Sequence, residues 1–99
     1  MNTTTLKTIH DDLFIALTNA TKAYTEYLKV LEEQAEAAED NLQDIAELWD
    51  NDQCTEAEYN EAQQAQRNAN YRVEAMADVL EALAKLDENH DYALGYAQY

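Results

Sequence analysis

The 99-residue chain has no proline, a single glycine at position 95 and a single cysteine at position 54. With the usual helix breakers missing, element boundaries must come from capping residues and polar clusters. One cysteine forms no intrachain disulfide, so no covalent staple supports the fold. Basic residues are equally scarce, six Lys and Arg against 21 Asp and Glu, for a formal charge of −15. Such a chain is repelled by nucleic acid and by anionic lipid alike, which disfavours direct binding to either. No stretch approaches the roughly 18 apolar residues of a membrane span. Met1-Asn2-Thr3-Thr4-Thr5 lacks the basic and apolar segments of a secretory signal, so a cytoplasmic location is the expectation. Large aliphatic side chains are few as well: Leu, Ile, Val and Phe total 18, against 17 alanines. A large private core is excluded on that count.

What is abundant points to helix. Ala, Glu, Lys, Leu and Arg make up 46 residues, the composition of long helices and coiled coils. One break stands out. Asp50-Asn51-Asp52-Gln53-Cys54-Thr55 is a polar turn cluster, and Thr55-Glu56-Ala57-Glu58 has the Thr-x-x-Glu form of a capping box that opens a new helix. The expectation is one all-α domain over residues 1–99, with a helix over about 4–50, a second over about 56–88, and a tail or short helix over 90–99.

Both helices carry seven-residue apolar rows. In the first, Phe14, Thr21, Leu28, Ala35, Leu42 and Trp49 interleave with Leu17, Tyr24, Leu31, Ala38 and Ile45. In the second, Tyr59, Gln66, Val73 and Leu80 interleave with Ala62, Ala69, Met76 and Leu83, and Val79 and Leu86 widen the face beyond the midpoint. Two helices joined by a short turn near residues 50–55 must pack antiparallel, a long coiled-coil-like hairpin. Alanines should meet around Ala35, Ala38, Ala65 and Ala69 and allow close approach. A break between Glu32 and Glu39 would give a three-helix bundle instead, but that stretch is alanine-rich and glycine-free.

Leu6, Ile9, Leu13, Phe14, Ile15 and Leu17 cover more of the helix than one partner can hide. A homodimeric bundle formed through this open end is expected, with Leu6, Ile9, Leu13, Phe14, Tyr96 and Tyr99 as self-association residues. Its competitor is a monomer closed by a tail that lays Tyr92, Tyr96 and Tyr99 over Ile9, Leu13 and Phe14.

Charge is distributed unevenly. From Glu32 to Glu61 there are 12 acidic residues and no Lys or Arg. At about 100° per residue, Glu32, Glu33, Glu36, Glu39, Asp40, Asp44, Glu47 and Asp50 fall within an arc of roughly 140° opposite the apolar seam. A solvated outer face accounts for acid on that side but not for the missing lysines, because mixed-sign pairs at i, i+4 stabilise a helix and like pairs do the reverse. Twelve charges on an arm of about 31 Å give one per roughly 2.6 Å, comparable with about 1.7 Å for duplex DNA.

In size, composition and this acidic stripe, Glu32 to Asp50, the chain resembles the small acidic phage proteins that act as DNA mimics, among them anti-restriction and some anti-CRISPR inhibitors. The resemblance is to a class without a shared fold or motif. It implies a non-enzymatic inhibitor acting in the host cytoplasm, with those eight carboxylates on the basic nucleic-acid-binding surface of a nuclease or CRISPR effector. The alternative is a structural or adaptor coiled coil that works through its apolar open end.

Other chemistry is poorly supported. Asp50, Asp52, Glu58 and Glu61 occupy positions 1, 3, 9 and 12 of an EF-hand loop, yet position 5 is Cys54 and position 6, which needs glycine, is Thr55. Asp87-x-x-His90 is half of a di-iron motif whose second half is missing. His10 and Asp11 beside His90 and Asp91 read as solvated surface. Cys54 in an acidic turn is deactivated, and no phosphate loop or nucleophile elbow occurs. No metal, cofactor or catalytic residue is expected. Tyr24, Tyr27, Trp49 and Tyr59 follow the seam and are expected to pack there.

Overall fold

The computed structural model describes residues 3–90, with side chains over 5–89. Two long helices account for nearly all of them: α1, Thr3–Asp50, and α2, Glu56–His90, with no strand among the described residues. This all-helical architecture is compatible with a helical hairpin. Helix α1 continues without interruption through Glu32–Glu39, where the three-helix alternative required a break. Expectations for Asp91, Tyr92, Tyr96 and Tyr99 lie outside the described residues. No described helix is long and apolar enough to cross a membrane.

The connection is built from two local motifs. At the end of α1, Gln53 N–H donates to Leu48 O at 2.7 Å and Asp52 N–H to Trp49 O at 3.1 Å. This 6→1 and 5→2 pair is a Schellman motif, and Asp52 holds its left-handed position at φ 55°. Glycine normally fills that place; Asp is tolerated because its short polar side chain suits the left-handed region better than most. At the start of α2, Thr55 Oγ1 accepts from Glu58 N–H at 3.1 Å and Glu58 Oε1 accepts from Thr55 N–H at 3.4 Å. The reciprocal capping box satisfies two backbone donors that the first turn would otherwise leave open.

Contacts divide the chain into two units, one drawn from Met1–Glu26 and Ala77–Tyr99, the other from Tyr27–Met76. In the second, the helices run antiparallel away from the connection: Trp49 stacks on Tyr59, and one turn further Ile45 and Asn41 share a groove with Ala62 and Ala65. Its core is narrow. Leu31, Ala62 and Ala69 are each 5% exposed, and Leu28, Ala35, Ala38, Leu42, Ile45, Tyr59, Gln66, Val73 and Met76 are half-buried. Small alanines on α2 permit the close approach that the spacing predicts, although Ala65 itself remains exposed at the groove.

In the other unit, Phe14, Leu17, Thr18 and Thr21 of α1 share an open groove with Leu80, Leu83, Ala84 and Asp87 of α2. Several expected seam residues are not covered: Phe14, Tyr24, Tyr27 and Trp49 are exposed, and so are Val79 and Leu86. A helix packed against one neighbour buries a single stripe, and large rings at its edge project past the partner.

Candidate acidic interaction surface

All eight carboxylates of the stripe, Glu32, Glu33, Glu36, Glu39, Asp40, Asp44, Glu47 and Asp50, are exposed on α1 within the second unit. Their position follows from the seam: Leu31, Ala35, Ala38, Leu42 and Ile45 turn inward, so the residues between them at helical spacing must face water. Among the described residues, no carboxylate between Glu32 and Glu61 takes part in an ion pair. In the other unit, Lys85 Nζ pairs with Glu81 Oε1 at 3.5 Å, and His10 Nδ1 lies 3.5 Å from Asp11 Oδ1.

Electrostatics within the unit are unfavourable to the stripe. Glu32–Glu36, Glu36–Asp40, Asp40–Asp44 and Asp44–Glu47 are like-charged neighbours one turn apart, each worth a few tenths of a kcal/mol of repulsion. The last turn of α1 has no basic residue, while Glu47 and Asp50 stand at its end. A helix C-terminus carries partial negative charge, so these carboxylates oppose the dipole by roughly 0.3–1 kcal/mol each at exposed sites. By contrast Glu56 and Glu58 lie in the first turn of α2, where the dipole favours them.

The acid on the second helix does other work. Glu58 closes the capping box, and Glu58 and Glu61 line the groove with Asn41, Ile45, Ala62 and Ala65. Asp52 shapes the Schellman turn. The EF-hand spacing thus has a structural explanation: the residues from Glu56 onward are helical, and the described residues include no group of three or more side chains suited to a metal ion.

Cys54 is half-buried, and its Sγ donates to Ile45 O at 3.7 Å. Partial burial raises the thiol above its ordinary pKa, and the Glu58 carboxylate raises it further. The group is consequently a protonated thiol at neutral pH, unsuited to nucleophilic attack.

Of the self-association residues, Leu6 and Ile9 are half-buried and Leu13 and Phe14 are 43% and 48% exposed; Tyr96 and Tyr99 lie outside the described residues. Phe14 belongs to the groove against α2. Tyr71, 64% exposed on α2, was not marked by the seam pattern because it falls between its rows. No protein family, curated protein or solved structure matches the chain.

Proposed function

We propose that this protein is a non-enzymatic, stoichiometric inhibitor of a host defence protein, phage or mobile-element encoded, that occupies a basic nucleic-acid-binding surface with its acidic stripe. One observation carries the reading: eight exposed carboxylates follow one another along α1 with no basic residue among them. Each like-charged neighbour and each carboxylate at the negative end of α1 lowers the stability of the free protein. A partner whose Lys and Arg normally hold phosphates gives those carboxylates a role, since neighbours one turn apart sit about 5–6 Å from each other and can meet such side chains in charge-assisted hydrogen bonds. The action is that of a rigid competitor for nucleic acid, in the host cytoplasm, without cofactor or metal.

A gel-shift measurement tests it. In excess, the protein should displace duplex DNA from its target, a nuclease or CRISPR effector, and the variant E36K/E39K/D40K/E47K should not. Equal displacement by both would overturn the reading.

A second reading draws on the exposure of Leu13, Phe14 and Ile15: an adaptor coiled coil that works through this apolar end and self-associates there. It assigns function to Ile9, Leu13 and Phe14, so Leu13→Asp with Phe14→Asp would abolish activity that the four-lysine variant keeps.

A further inference from the structure

The groove between the helices of the second unit joins an apolar base to a lining of one charge. Ala62 is buried and Ile45 half-buried in it, Ala65 is exposed along it, and exposed Asn41, Glu58 and Glu61 complete the lining. Its volume is about 260 Å³, against roughly 10–15 Å³ for a single water, so it has room for a side chain. The small residues at 62 and 65 leave that room open.

We infer that this groove receives an arginine side chain of the basic partner; the inference rests on the acidic-stripe reading above and adds to it a specific docking point. Charge selects the occupant: Glu58 and Glu61 stand one turn apart on α2, and no Lys or Arg occurs from Glu32 to Glu61 to neutralise them from within. Arg67, six residues beyond Glu61, faces another side of the helix at about 100° per residue. The acceptors are available. Both hydrogen bonds that Glu58 accepts from Thr55 use Oε1, which leaves Oε2 open, and the side chains of Asn41 and Glu61 form no hydrogen bond or ion pair among the described residues. A long basic side chain can lay its methylene stem on Ile45, Ala62 and Ala65 while its head meets the carboxylates. Arginine suits this better than lysine, because its planar fork presents five donors to acceptors spread over two helices, whereas an ammonium is a compact point charge.

Calorimetric titration of the full chain at 0.15 M salt tests the groove, with an acetylated, amidated tetra-arginine peptide as probe. Ala65→Leu fills the groove without changing the charge, and Glu61→Gln removes one carboxylate from it. Each should weaken tetra-arginine binding about tenfold, the worth of a charge-assisted hydrogen bond, with unchanged helical circular dichroism. Glu36→Gln, the same charge change on the stripe, should cost less than about twofold. In methyl NMR spectra the peptide should shift Ala62 and Ala65 more than Ala37, which is exposed among the stripe carboxylates. Wild-type affinity in both groove variants, an equal loss in Glu36→Gln, or shifts confined to Ala37 overturns the groove. Tetra-lysine that binds as tightly and loses as much in Ala65→Leu overturns the choice of arginine. Ala65→Leu keeps every carboxylate, so failure here leaves the DNA displacement tested with E36K/E39K/D40K/E47K standing, and failure of that displacement leaves these affinities as measured.

Discussion

Trp49 stacks on Tyr59 across the connection, with ring centroids 5.4 Å apart and planes inclined at 16°. The pair joins the last turn of α1 to the first turn of α2, next to the Schellman motif and the capping box. Aromatic pairs of this kind contribute about 0.5–1.5 kcal/mol beyond their buried area. A double-mutant cycle with Trp49→Ala and Tyr59→Ala, followed by urea unfolding, should return a coupling in that range. Independent, additive losses would show that the rings merely lie near each other.

Asp52 occupies a position that glycine fills without strain. Asp52→Gly removes the steric penalty and also a carboxylate from the negative end of α1, so it should raise stability by about 0.5–1 kcal/mol. Asp52→Val should lower it, since a β-branched residue resists the left-handed region. Shifts in the urea midpoint at constant slope check both.

The capping box predicts a loss of about 1 kcal/mol for Thr55→Ala, from the missing acceptor for Glu58 N–H. Glu58→Gln keeps the box and should stay close to wild type. A large loss in Glu58→Gln, measured by thermal unfolding, would mean that the charge at this site matters more than its hydrogen bonds.

The thiol of Cys54 links stability to alkaline pH. Burial and Glu58 place its folded pKa above that of the unfolded chain, so the folded state holds its proton more tightly. Its stabilising contribution is complete below the unfolded thiol value of about 8.5 and is lost as pH rises through the folded value. The wild type should therefore lose stability relative to Cys54→Ser between pH 8 and pH 10. Alkylation of Cys54 by iodoacetamide at pH 8 should be slower in the native protein than in urea.

Much of this architecture was legible in the residues. Gln66, Val73 and Met76 read as seam positions and are half-buried, Ala62 and Ala69 read likewise and are buried, and the Thr55 box is formed by the hydrogen bonds its letters predict. The Schellman turn was not, because the expected glycine signal is absent and Asp52 takes its place. The exposure of Tyr24, Tyr27 and Trp49 was also missed: periodicity assigns a side to each residue but not how far a large ring reaches past a narrow partner. The stripe's exposure was legible because it opposes the seam. The division of labour among the other carboxylates, with Glu58 and Asp52 serving the connection, required coordinates.

Repulsion along α1 makes stability depend on salt. The like-charged neighbours lie about 5–6 Å apart, inside the Debye length of roughly 10 Å at 0.1 M and beyond that of about 3 Å at 1 M. Added sodium chloride should raise the melting temperature over this range by several degrees. The variant E36K/E39K/D40K/E47K should melt higher than wild type at low salt and show a smaller salt response. A wild-type melt that falls with salt would mean that attraction, not repulsion, dominates the surface.

The most direct measurement is capture on the immobilised protein from bacterial lysate, wild type beside E36K/E39K/D40K/E47K, at low and high salt. The acidic-stripe account predicts that a nucleic-acid-binding protein is retained by the wild type alone and is released by salt or by added duplex DNA. Retention of one partner by both proteins, unaffected by salt or DNA, would contradict it and place the working surface on the apolar end.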